Sequence, residues 1–199
     1  MRYKTTKCYR EDYLENIKKN KLFEFIKDED TKDTLYLFFS YSYFMYTEEI
    51  LINKGIDESL LELKIHTVII YLGSIIEAVL YDFVYEKLKN NEKSRKKYLE
   101  IDELIKVQKI KETENLYISR LEKKIITLND SINFNALING AKDKSIINEE
   151  IINKINTFRK RRNSIHINVY KIGDFIKLDE LEKSFIETKE ILDYLEENI

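Results

Sequence analysis

Not one proline and only four glycines occur in 199 residues. Proline breaks helix interiors and strand ladders, and glycine supplies the left-handed conformations of tight turns. A chain this poor in both has few ways to reverse sharply, and the expected class is all-α: helices joined by polar loops. Hydrophobic residues make up 43% and charged residues 35%, enough for a sizeable core under a heavily solvated surface.

The balance of charge narrows the partners. A formal charge of -2 excludes a generally basic nucleic-acid binder, so any such contact is local. Cys8 is the only cysteine, which excludes an intrachain disulfide and a cysteine-rich zinc site and suits a reducing cytoplasm. Met1-Arg2-Tyr3-Lys4 lacks the apolar core of a signal peptide. The apolar stretch Leu35 to Tyr46, read as the longest, is too short to span a bilayer. The expectation is a cytoplasmic protein without membrane contact.

Apolar spacing places the helices. Leu14, Ile17, Leu22 and Phe25 predict a helix over about 10–26. The polar break Asp28-Glu29-Asp30 follows, then a second helix capped by Asp33, running to about Asn53 and stopped at Gly55. Its aromatic residues, Tyr36 to Tyr46, lie on most sides, which predicts packing between other elements rather than a base-stacking platform. Ser59-Leu60-Leu61-Glu62 reads as a capping box that opens the longest apolar helix, about 59–90. Leu61, Ile65, Val68, Ile69, Leu72, Ile76, Val79, Leu80 and Phe83 keep its 3.6 period. Residues 95–124, charged with sparse apolar positions, are expected to form one or two surface helices. Thr127 to Phe134 reads as a turn region, with helices at about 134–141 and 146–167. Gly173 breaks the chain, and Asp179 is the expected cap of a last helix striped by Leu181, Phe185, Leu192 and Leu195. No internal repeat or flexible linker divides the chain.

The chemistry concentrates in Phe158-Arg159-Lys160-Arg161-Arg162-Asn163-Ser164-Ile165-His166. At about 100° per residue, His166 shares a helix face with Arg162, Asn163 and Arg159, and Arg161 points away. Ile151, Ile152, Ile155 and Phe158 anchor the turns before it. A guanidinium, a carboxamide and an imidazole on one face suit RNA cleavage without a metal. RNA carries its own nucleophile, the 2′-OH. A histidine near neutrality takes that proton or gives one to the leaving 5′-oxygen. An arginine stabilises charge developing on the phosphate. The bland alternative is a helix end whose Arg and His answer the macrodipole alone.

Arg162-Asn163-Ser164-Ile165-His166 after a long amphipathic helix resembles the signature of the HEPN superfamily (higher eukaryotes and prokaryotes nucleotide-binding). That motif is an Arg, commonly followed by a polar residue such as Asn, and then a His after four to six residues. Phe134 to Glu150, leading into His166, and Gly73-Ser74-Ile75-Ile76-Glu77-Ala78-Val79-Leu80 are similar to the family's approach and core helices. Arg162 is separated from His166 by three residues, Arg161 by four and Arg159 by six. The Arg-Asn dipeptide and the shared face favour Arg162, and the other two stay open.

The resemblance implies a HEPN-like helical bundle over 57–199 with an N-terminal helical extension, 1–56, packed on the core. It implies a homodimer in which two motifs face one cleft, with RNA as substrate and no cofactor or metal. Many members are ribonucleases of toxin–antitoxin, phage-defence or RNA-processing systems, so an antitoxin or regulatory protein is a further expected partner. The implied catalytic residues are Arg162, Asn163 and His166, supported by Arg159, Arg161 and Glu77. The alternative is a non-catalytic module of the same type that binds RNA, a nucleotide or a protein. Glu77 is open between a partner for Arg162 or His166 and an ordinary structural ion pair, since an unpaired buried carboxylate is costly. Ser74 and Tyr81, on its face, are read as packing or hydrogen-bonding residues. His66 is read as a core or interface residue, since a metal site needs several ligands.

Overall fold

The computed structural model describes residues 13–51, 57–111, 116–165 and 177–199. Its helices are α1 (residues 13–19), α2 (Glu29–Phe44), α3 (Glu58–Leu88), α4 (Glu92–Lys96), α5 (Phe134–Asp143), α6 (Glu149–Ser164) and α7 (Leu178–Glu197). A π-helical segment, Met45–Leu51, continues α2. The chain is all-α in class, with one β-hairpin made of β1 (Leu99–Lys111) and β2 (Leu116–Ile126).

α3 is the axis of the domain. Val68, Ile69, Leu72, Ile75, Ile76, Val79, Leu80, Phe83 and Val84 are fully buried along it, on too many sides for a single-faced surface helix. It packs against α2, the π-helical segment, α6 and α7. Among the described residues α3, rather than the Leu35–Tyr46 stretch, is the helix long and apolar enough by length and composition to cross a membrane, and 56% of its most apolar window is buried inside the structure.

Helix starts show where local hydrogen bonds beat pattern. Asp28, not Asp33, caps α2 by accepting from the Thr31 N–H at 2.8 Å. Asp57, not Ser59, caps α3 by accepting from the Ser59 N–H. The last helix begins at Leu178, with Lys177 rather than Asp179 at its cap. There the Glu180 carboxylate reaches back to the Lys177 N–H at 3.3 Å. Asparagines cap α5 and α6: Asn133 accepts from Ala136 and Asn148 from Ile151. The first helix is shorter than expected. Residues 20–25 are turns, with Lys21 at φ 55. Gly55 and Gly173, the expected breaks, lie outside the described residues.

The surface helices expected over 95–124 are not formed. β1 and β2 pair antiparallel, with Leu99 opposite Ile126 and Leu104 opposite Leu121, and the register shifts between Lys106 and Gln108 and between Lys109 and Lys111. The hairpin is seated on α5 by Tyr98, whose ring is fully buried and whose hydroxyl donates to the Leu137 carbonyl at 2.6 Å. Gly140 makes that seat: a Cβ there would lie 2.1 Å from Tyr98 Cε1. The Thr127–Phe134 turn carries the chain from β2 into α5 as expected, with Asn129 accepting from Ser131.

Candidate functional site

α6 brings its residues to two neighbours. Ile151, Ile155 and Phe158 are buried, at the spacing that keeps them on one face, and Arg162 is the next residue of that stripe. Its aliphatic stem therefore lies against α3, where Gly73 leaves room: a Cβ on Gly73 would stand 3.3 Å from Arg162 Cδ and 3.5 Å from its Cβ. One turn further along α3, the Glu77 Oε2 accepts a hydrogen bond from Arg162 Nη1. The pair keeps contact with water, at 32% and 29% side-chain exposure. The stem covers apolar surface and the charged head reaches outward.

Arg161 goes the other way. Its Nη1 donates to Glu187 Oε2 at 2.8 Å and to Ser184 Oγ at 3.1 Å, both on α7. Its guanidinium also lies 5.7 Å from the centre of the Phe158 ring. This pair is more enclosed, at 17% and 12%, and joins α6 to α7. Lys154 is similarly taken up by Glu150 at 2.7 Å and Glu190 at 3.1 Å. The basic run is thus divided between α3 and α7, and acidic α7 pairs with Arg161 and with Lys154 ahead of the run. Arg159 Nε donates to Asn156 Oδ1 at 2.8 Å, and Lys160 and Asn163 are exposed.

The structure brings Arg162 and Glu77 together, leaves Asn163 in solvent on the next position, and turns Arg161 away. His166 lies outside the described residues. Gly73, Ser184 and Glu187 were not singled out from the sequence as partners of these arginines. The only signal was a glycine inside an apolar helix, which marks close approach of another element.

The other candidates have structural surroundings. His66 is buried on α3, with its Nε2 3.9 Å from Glu62 Oε1, and burial holds its pKa below the usual 6.5. Tyr81 donates to Asp130 at 2.7 Å, and Ser74 to the Ile70 carbonyl at 2.9 Å. Tyr36 is sunk in the core against Phe23, and Tyr41 packs on Tyr71. A cleft of about 750 Å³ between residues 13–22, α2 and α7, lined by Tyr13, Asn16, Phe39, Tyr43 and Phe185 among others, has no lining residue from α3 or α6.

Chemically, the Arg162 guanidinium has five N–H donors in a fixed plane. Glu77 takes part of that capacity and fixes the plane's orientation. The remaining donors suit an oxyanion approaching from solvent. No protein-family model matches the chain, and neither a curated protein nor a solved structure matches it.

Proposed function

We propose that this chain is a metal-independent endoribonuclease of HEPN type, acting on RNA as a homodimer in the cytoplasm. The observation that carries the reading is the Arg162 guanidinium. It is oriented by Glu77 and open to water at the end of α6, four residues before His166 in the sequence.

Arg162 binds the scissile phosphate and stabilises the charge that builds on it. His166 accepts the 2′-OH proton as O2′ attacks phosphorus, and the P–O5′ bond breaks as a proton reaches O5′. The products carry a 2′,3′-cyclic phosphate and a 5′-hydroxyl. Asn163, exposed beside Arg162, orients the phosphate or ribose. Two-fold pairing supplies a second imidazole, so that one serves as base and the other as acid. Toxin–antitoxin or phage-defence systems are the settings such an activity fits, with an antitoxin or regulatory protein as a further partner.

The test is cleavage of RNA in excess EDTA by wild type, His166→Ala and Arg162→Ala. The expected result is a cyclic-phosphate product from wild type alone. Equal cleavage by wild type and His166→Ala, or cleavage only with added metal, discards the mechanism.

One observation favours a second reading, a non-catalytic module that binds RNA, a nucleotide or a protein. The Arg162 charge is already met by a carboxylate, and a phosphate must compete with it. Binding without turnover, weakened by Arg162→Ala and by salt, selects that module.

A further inference from the structure

α3 is apolar beyond what the core takes from it. The side it leaves open carries Leu60, Leu63, Thr67, Ile70, Ser74 and Glu77. Their spacing alternates three and four residues, the seam by which one helix packs along another. Leu60, Leu63 and Ile70 are 46%, 60% and 38% exposed. The Thr67 and Ser74 hydroxyls donate to the Leu63 and Ile70 carbonyls at 2.8 and 2.9 Å, so covering this face strands neither hydroxyl proton.

Phe38 of α2 widens the seam. Its ring centre lies 5.3 Å from that of Tyr71 on α3, and a shallow groove between the two helices is lined by Thr34, Phe38, Ser74 and Ala78 among others. With Leu37 beside Phe38, the open face presents five large apolar side chains at 37–60% exposure, on the order of 500 Å². Two copies face to face remove about 1,000 Å² from water, where specific interfaces begin. A nucleic acid or a charged peptide would find little to pair with between Leu63 and Ser74. A second copy finds its own complement, because large residues at one end of the seam answer small ones towards the other.

We infer that the open face of α3 packs antiparallel on the same face of a second copy, about a two-fold axis level with Val68 and Ile69. This alignment sets Leu63 against Ser74 and Ile70 against Thr67, a large side chain meeting a small one in each layer. Symmetry makes each pairing twice. Leu60 falls beside Glu77, whose carboxylate is turned to Arg162, and this is the layer that opposes the register. A parallel alignment is worse, since it sets Glu77 against its own copy. Centring the axis on Ile65 leaves Ser74 beyond the partner helix, which starts at Glu58. The two-fold also puts both α6 helices on one flank of the paired α3 helices. The two Gly73 positions, each under an Arg162 stem, then stand about 14 Å apart along the axis. The inference gives the proposed homodimer its contact surface, yet association alone tests it, whatever the chain does to RNA.

The experiment is sedimentation equilibrium on the full chain as wild type, Leu63→Glu and Ile70→Glu, with circular dichroism melts to show that each is folded. Both positions are exposed in the single copy, so the substitutions spare the fold. Each buries a carboxylate in two symmetric layers, and self-association is expected to weaken at least tenfold. Register is read by oxidative cross-linking in a Cys8→Ser background. Leu63→Cys mixed with Ser74→Cys is expected to give a disulfide-linked dimer, and neither does so alone. A monomeric wild type, a dimer indifferent to both glutamates, or Leu63→Cys linking to itself overturns the pairing. If wild type is monomeric in buffer and binds phosphatidylcholine vesicles in a manner lost in Leu63→Glu, lipid covers this face instead. RNA cleavage by a monomeric wild type would separate the failure of this interface from the failure of the proposed activity.

Discussion

The two flanks of α6 use the same chemistry for different ends. On one, Arg161 reaches Glu187 and Ser184 and lies near the Phe158 ring. On the other, Arg162 lies over Gly73 and meets Glu77. Each is an arginine–carboxylate bridge from α6 to a neighbouring helix, made by consecutive residues. They differ in enclosure: the first pair is nearly shut off from solvent and the second stands at the surface. A step of about 100° around the helix axis is enough to send one guanidinium into a joint between helices and leave its neighbour reachable by a ligand. Neighbouring arginines in a basic run are therefore not interchangeable, and direction on the helix outranks spacing to a histidine.

The sharpest way to break this contrast is at Arg162 itself. On the proposed function, Arg162→Ala lowers RNA cleavage by roughly a hundredfold or more, the scale of losing one charge-stabilising donor. Stability falls by about 1 kcal/mol, because the partly exposed pair contributes little and the loss is mainly the packing of the Arg162 stem on α3. The pattern to be measured is a collapse of single-turnover cleavage out of proportion to a small downward shift of the melting curve.

Arg161→Ala should do the reverse. Removing it takes the closer cation from the enclosed Glu187 carboxylate and leaves it with Lys183 at 3.6 Å, at a cost of roughly 1–2 kcal/mol. A lowered urea midpoint with near wild-type cleavage per folded molecule is expected. If Arg161→Ala instead spares stability and abolishes cleavage, the roles of the two flanks are exchanged.

Gly73→Ala is a finer probe. The added methyl presses on the Arg162 stem at 3.3 Å, while alanine favours a helix over glycine by about 1 kcal/mol. The two effects nearly cancel in stability, so the denaturation midpoint moves little. Cleavage drops several-fold, on the scale of a small misplacement of a positioned group.

The smallest expected effect lies away from both flanks, at His66. Burial depresses its folded pKa below 6.5. As pH falls through 6.5 the unfolded chain takes up a proton that the folded chain resists, so stability declines until the pH reaches the folded value. Above that window the group makes no difference. Melting temperatures from pH 7 to pH 5 should show a component of acid destabilisation that His66→Gln lacks.

How much of this was legible differs from element to element. α3, α5, α6 and α7 follow from apolar spacing because each buries a stripe or a whole circumference. The meeting of Glu77 with an arginine was legible in part, since a carboxylate among apolar residues needs a partner and Arg162 shares the stripe of Ile151, Ile155 and Phe158. Its choice of Arg162 over Arg161 depends on where α3 and α7 lie, which is tertiary. Asp28 and Asp57 were passed over because sequence offers several cap residues within a few positions, and backbone geometry selects among them. The hairpin was hidden for two reasons. Leu104-Ile105 interrupts alternation, as do the register shifts after Lys106 and Lys109. The connection over 112–115, Glu-Thr-Glu-Asn, contains none of the glycine pairs that announce a tight turn. Lysine, glutamate and leucine then make the stretch look helical by propensity.

Tyr98 and Gly140 fit as plug and socket, and that fit localises the tolerance of this fold to change. The ring fills the volume that any side chain at 140 would need, so Gly140 cannot be exchanged while Tyr98 keeps its ring there. Leu99 and Ile126 also pack on the core, and the exposed Ile101, Leu121 and Ile125 lie just beyond them. A chain that altered the hairpin past its base could keep its helical body intact by preserving Tyr98, Leu99, Ile126 and Gly140, which makes the far part of the ribbon the natural place to splice in a foreign segment.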